Sequence, residues 1–125
     1  MTILVVDDDE AVRTGLRCVL RSEGYNVRVA ANGFEAEQEL PRACTDLVLV
    51  DMNMPVQNGW VTIGRLRSIK PHIPIIIITA RPDQLRAARA AGLELMEKPL
   101  DMPVLIERIA ALLQTAERPP SVTAA

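Results

Sequence analysis

The sequence predicts an α/β domain, a doubly wound five-stranded parallel sheet with five helices, and three observations predict it. Short apolar runs at 3–6, 47–50 and 75–78 are rich in β-branched residues and bounded by polar residues or proline, the pattern of strands covered on both faces. Segments with apolar residues at helical spacing fill the gaps between such runs. The length, 125 residues, suits one domain with a single core and is too short for two. Strand and helix alternate five times without an internal repeat, and right-handed crossovers then place helices on both faces of the sheet.

Each element has its own signal. The first strand, Ile-Leu-Val-Val at 3–6, runs into Asp7-Asp8-Asp9-Glu10. Val12, Leu16, Val19 and Leu20 then repeat as one helical face, which Gly24 stops. Residues 26–30 alternate, Val27 and Val29 against Asn26 and Arg28, as an edge strand does. Asn32 is placed to cap a helix over 33–40 that Pro41 ends. The third strand, 47–50, leads to Asp51, and Pro55 and Gly59 mark an irregular loop before a helix carrying Trp60, Ile63, Leu66 and Ile69. The fourth, 75–78, leads to Thr79-Ala80, and Pro82 opens an Arg/Ala-rich helix that stops at Gly92. Residues 93–97 read as a mixed strand at an edge. Asp101 caps the last helix, whose buried stripe is Leu105, Ile109 and Leu112. After Gln114 the pattern gives way, so the expected domain is 1–116, with 117–125 a flexible tail or linker remnant.

Composition narrows the function. Hydrophobic residues make up 49% and charged residues 24%, which excludes a disordered polar chain. A net charge of −2 argues against a basic nucleic-acid surface or a polybasic membrane anchor. With Tyr25, Phe34 and Trp60 as the aromatic residues, a base-stacking platform is not expected either. No apolar run approaches the roughly 20 residues that span a bilayer, and the start at Met1 lacks the basic and apolar regions of a secretory signal. Cys18 and Cys44 lack metal or redox spacing and are expected as small core residues in a reducing cytosol. The expectation is a cytoplasmic protein with no direct nucleic-acid or membrane contact.

Ligands of an open parallel sheet bind beyond the carboxyl ends of its strands, so the residues just past each strand are informative. Here those ends carry Asp7, Asp8, Asp51, Thr79 and Lys98. The first strand–helix turn has no glycine and is neither a dinucleotide fingerprint nor a P-loop. Carboxylates gathered from two strands need a cation, and a hard ion such as Mg²⁺ fits, because it takes one or two carboxylates and keeps several waters. His72 stands alone, so no softer metal is indicated. A divalent ion, the Lys98 ammonium and the Thr79 hydroxyl around one carboxylate suit a phosphoryl group, with Asp51 as the nucleophile that forms an acyl phosphate. Any one of these residues alone has an ordinary structural role; the same coincidence at four strand ends does not. By contrast, Trp60, Met52 and Met54 are read as packing, and Arg81, Arg86 and Arg89 as the solvated face of their helix.

Ile-Leu-Val-Val-Asp-Asp at 3–8, Asp-Met-Asn-Met-Pro at 51–55, Ile-Thr-Ala at 78–80 and Glu-Lys-Pro at 97–99 together resemble the receiver domain of bacterial response regulators, over roughly residues 2–114. The resemblance implies a flavodoxin-like strand order, 2-1-3-4-5. It implies that Asp51 accepts phosphate from a sensor histidine kinase or phosphotransfer protein. It also implies that Asp8 is a direct Mg²⁺ ligand, that Asp7 acts on the ion through water, and that Asn53 gives it a backbone carbonyl. Thr79 resembles the switch hydroxyl, Lys98 the lysine that pairs with the phosphoryl group, and Ala80 the small residue that keeps the site open. Family members often have a cis bond at the position before Pro99. The readout to a downstream protein is expected over 82–114. Such a chain is no enzyme in the ordinary sense, although it assists its own phosphorylation and dephosphorylation.

Two departures from the family pattern stand out. Leu95 occupies the place, three residues before the lysine, where the family usually has Tyr or Phe, and the stretch from Gly92 to Lys98 is one residue short. Leu95 supports an alternative, an interaction module of the same fold that signals without phosphate. A Mg²⁺ phosphohydrolase is a third reading; it wants a second acid where the chain has Asn53, and a substrate cap for which no insertion is long enough.

Overall fold

The computed structural model describes residues 1–42, 44–52, 59–80, 83 and 85–117. Among these, five strands and five helices alternate: β1 (Thr2–Val6), α1 (Glu10–Ser22), β2 (Asn26–Ala30), α2 (Gly33–Arg42), β3 (Leu47–Asp51), α3 (Gly59–Ile69), β4 (Ile75–Thr79), α4 (Leu85–Ala90), β5 (Glu94–Glu97) and α5 (Met102–Glu117). The sheet is parallel throughout, as the sequence predicts, in the order β2-β1-β3-β4-β5 that the resemblance implies.

The apolar runs form strands because both of their faces are covered. Side chains alternate across a strand. Leu4, Val6, Val48, Val50, Ile75 and Ile77 therefore pack with Ala36 and Leu40 of α2, Ile63 and Leu66 of α3 and Ala88 of α4. Ile3, Val5, Leu47, Leu49, Ile76 and Ile78 turn the other way, onto Leu16 and Leu20 of α1 and Leu105, Ile109 and Leu113 of α5. The two edge strands are less covered: β2 exposes Asn26 and Arg28, and no residue of β5 is fully buried.

Local signals set the helix ends. Asn32 accepts from the Glu35 amide (2.9 Å) at the start of α2, and Asp101 accepts from the Val104 amide (3.3 Å) at the start of α5. At the end of α1, Gly24 takes φ +94°, which lets the Tyr25 amide reach back to the Leu20 carbonyl at 3.2 Å. α4 ends the same way at Gly92, with the Leu93 amide on the Ala88 carbonyl at 2.9 Å.

Several expectations need correction. Cys18 and Cys44 are exposed, not core: Leu16 and Leu20 take the buried face of α1, and Cys44 sits at φ +48° in the turn before β3. Ile69 is exposed at the end of α3, and Leu113 rather than Leu112 completes the fully buried stripe of α5. Pro41 lies inside the last turn of α2, where its missing N–H removes a single terminal bond, so the helix continues to Arg42. α5 continues to Glu117, past the expected loss of pattern after Gln114. Asn53, Met54, Pro55, Arg81, Pro82 and positions 118–125 of the expected tail lie outside the described residues.

Candidate phosphoacceptor site

The site forms at the carboxyl rim because the pairing register levels the strand ends. β1 and β3 are paired through Val6 and Val50, so the next residues, Asp7 and Asp51, emerge side by side. Asp51 in turn pairs with Ile78 of β4, which puts Thr79 one step beyond it, and Thr79 pairs with Glu97 at the end of β5, next to Lys98. The Lys98 amide donates to the Thr79 carbonyl at 2.8 Å, which holds the start of the turn after β5 against β4. The Lys98–Pro99 bond is cis, as the resemblance implies.

The carboxylates do converge. One carboxylate oxygen from each of Asp7, Asp8 and Asp51 lies within 4.8 Å of the others. Asp7 and Asp51 are buried, and Asp8 is exposed at the mouth. Lys98 reaches in from the far side, its Nζ 3.3 Å from Asp51 Oδ1. The Asp51 side chain is only 4% exposed, whereas that of Lys98 is 34% exposed, so the lysine bridges the buried acid and the solvent. Thr79 is fully buried. Asn53 lies outside the described residues, and its carbonyl is not placed.

Electrostatics fit a cation here. Burial pushes the Asp7 carboxyl up from 3.8 to about 6; the Asp9 amide and Lys98 oppose that rise, while the charges of Asp51 and Asp8 add to it. A buried acid that is reluctant to ionise beside two others lacks positive charge. All three side chains offer hard oxygen donors, which suits Mg²⁺.

Two supporting residues were not among the expected ones. The Asp9 amide donates to Asp7 Oδ1 at 2.9 Å, while Asp9 Oδ1 caps α1 by accepting from the Ala11 and Val12 amides at 2.8 and 3.4 Å. Arg13 turns back along α1 and donates from Nη1 to the Asp7 carbonyl at 2.7 Å. Asp9 was legible as a cap, a polar residue just ahead of a helical pattern; nothing in the sequence marks Arg13. A steric detail appears where α3 meets the end of β3: a Cβ on Gly59 would lie 2.6 Å from Met52 Sδ and 3.0 Å from Met52 Cα. The start of α3 thus needs glycine to approach the residue after Asp51. Met52 is buried and Trp60 packs partly buried on the same core, as expected.

A doubly wound parallel sheet with a cluster of three acids and a lysine at its carboxyl rim defines the class: an α/β domain whose candidate site lies at its strand ends. More particularly, the chain belongs to the response regulator receiver domain family, whose match covers residues 3–110. It is 37% identical over 130 residues to the transcriptional regulatory protein ZraR of Salmonella typhimurium, covering 98% of this chain and 30% of that protein. It is 39% identical over 119 residues to the response regulator MprA of Mycobacterium leprae, covering 91% of this chain and 51% of the relative. The chain thus spans about a third to a half of these relatives. Among solved structures it is similar to the response regulator TrrA of Thermotoga maritima, crystallised with Mg²⁺ and BeF, with a TM-score of 0.80 and 32% identity over 89% of this chain and 97% of that one. Because ZraR is named a transcriptional regulator, the comparison gives no support to the expectation of no direct nucleic-acid contact. Among the described residues, no helix is long and apolar enough to cross a membrane.

Proposed function

We propose that the chain accepts a phosphoryl group on Asp51 from a sensor histidine kinase or phosphotransfer protein, and that this changes how residues 82–114 bind a downstream protein. One observation carries the reading: three carboxylates within 4.8 Å of one another, with an ammonium 3.3 Å from Asp51, one of the two buried members. In this reading Asp51 attacks phosphorus through one carboxylate oxygen. The new P–O bond forms as the P–N bond of a phosphohistidine breaks, and the electron pair leaves with the imidazole. Lys98 binds a phosphoryl oxygen, and the Thr79 hydroxyl donates to another. Asp7, Asp8 and Asp51 would hold Mg²⁺, with the Asn53 carbonyl as a further ligand, and the bound ion supplies the positive charge that lets phosphoryl oxygens approach three acids. We take 1–116 as the domain, 117–125 as its tail or linker, and the cytoplasm as its compartment. The domain is a switch that takes part in its own phosphorylation and dephosphorylation.

The test is incubation with acetyl phosphate or phosphoramidate, with and without Mg²⁺, followed by intact-mass measurement. A gain of one phosphoryl group that requires Mg²⁺ and disappears in Asp51→Asn is the expected result. An unmodified wild type would instead support the second reading, a phosphate-independent interaction module, which Leu95 favours by lacking the ring and polar tip of the usual aromatic.

A further inference from the structure

We propose that Arg13 is a positioning residue for the metal-binding turn, acting through the backbone of Asp7 rather than on its carboxylate; this rests on the proposed Mg²⁺-dependent function. Arg13 lies in the first turn of α1, where the helix dipole disfavours a cation. Helix stability alone therefore gives no reason for a guanidinium there. Asp8, Asp9 and Glu10 are close in the chain, yet among the described residues Arg13 forms no ion pair; it donates instead to the Asp7 carbonyl at 2.7 Å, a charge-assisted bond. Long helical side chains project toward the helix N-terminus, which brings the guanidinium back over the turn.

That bond completes a three-point brace. The Asp7 amide donates to the Ala30 carbonyl of β2 at 3.1 Å, its carboxylate accepts from the Asp9 amide at 2.9 Å, and its carbonyl accepts from Arg13. The Asp7 carbonyl belongs to the peptide unit that carries the Asp8 amide. Fixing it fixes the direction in which the chain leaves β1 and, with it, where the exposed Asp8 carboxylate stands relative to buried Asp7 and Asp51. Without Arg13, the turn retains its two other anchors, but the Asp7–Asp8 peptide is free to rotate. The acids then meet less often in the arrangement a small, geometrically strict ion requires.

Arg13→Ala and Arg13→Lys separate this role from a merely structural one. In the metal-free protein we expect Arg13→Ala to raise amide exchange at Asp9, whose amide bonds the Asp7 carboxylate, leaving the β3 and β4 amides and the thermal midpoint close to wild type. Calorimetric titration with Mg²⁺ alone should show about tenfold weaker binding, the lower end of what supporting partners contribute at metal sites. Arg13→Lys, which keeps a cationic donor, should recover part of both effects. Wild-type exchange at Asp9 in Arg13→Ala would overturn the proposal, as would acceleration spread evenly through the sheet with a fallen midpoint. Failure of the wild type itself to bind Mg²⁺ would overturn the proposed function and this role in metal binding together, while the exchange measurement would still report whether the brace exists.

Discussion

β3 and β5 each bring one partner of the Asp51–Lys98 pair to the rim, yet they are built differently. β3 lies at the centre of the sheet with all five residues buried, and β1 beside it is buried from Ile3 to Val6. β5 is a four-residue edge strand in which Glu94, Leu95 and Met96 are half-buried and Glu97 is exposed. The helices show the same contrast: α1, which comes after the acids, has 13 residues, whereas α4 has six. The chemistry asks for carboxylates whose separation does not drift, and a strand packed on both faces supplies that. A segment that must answer a new charge is better placed where moving it exposes little. In this molecule the rim that carries the acids rests on strands packed on both faces, whereas α4 and β5, part of the segment proposed to respond, are short and lightly covered.

The sharpest way to break this contrast is to truncate one leucine in each region. Leu49 is fully buried in β3, whereas Leu95 is half-buried in β5. Leu49→Ala should destabilise the domain by about 3 kcal/mol, and Leu95→Ala by roughly half that, because less apolar surface is lost and less cavity created. Urea unfolding measures both. Equal losses would mean that β5 is packed as tightly as the centre of the sheet.

A second prediction concerns the acid-bearing rim alone. The Asp7 carboxyl titrates near 6 in the folded protein and near 3.8 unfolded, so between these values the native state binds more protons. Metal-free stability therefore falls as pH rises through that window and carries the full penalty above it. At 1.36 kcal/mol per pKa unit, the penalty is at most about 3 kcal/mol. Asp7→Asn removes the charge while keeping an oxygen for the Asp9 amide. In EDTA it should stabilise the protein by about 2 kcal/mol at pH 7.5, a gain that shrinks below pH 6 to a small remainder at pH 4. Added Mg²⁺ should narrow the gap from the wild-type side. A pH-independent difference between the two proteins would show that burial of a charged Asp7 is not its source.

How much of this was legible beforehand differs between the same two regions. The β-branched runs and the acids at their ends specify β1, β3, β4 and the rim, because a strand buried on both faces leaves little choice of residue type. The edge was harder: residues 93–97 mix Leu, Glu and Met, and an edge strand tolerates that mixture. Cys18 and Cys44 were misread as core because residue type alone does not say which face of a helix or turn a side chain takes. Arg13 carries no sequence signal at all, since its partner is a backbone carbonyl six residues back and every residue has one.

The smallest effect on stability, and the one that joins the two regions, belongs to Lys98. Its side chain is partly solvent-exposed and its pair with Asp51 is long at 3.3 Å, so Lys98→Arg should change stability by no more than about 0.5 kcal/mol. Its backbone nevertheless ties the end of β5 to β4 through the Thr79 carbonyl. A compact ammonium drawn toward a phosphoryl group can therefore pull on β5, whereas a planar guanidinium places its charge differently and cannot reproduce that geometry. With acetyl phosphate and Mg²⁺, we expect Lys98→Arg still to gain a phosphoryl group. The change in β5 amide exchange that accompanies phosphorylation of the wild type should be clearly reduced in the variant. If the β5 amides respond equally in both proteins, the link between the accepting rim and the lightly covered edge does not run through this ammonium.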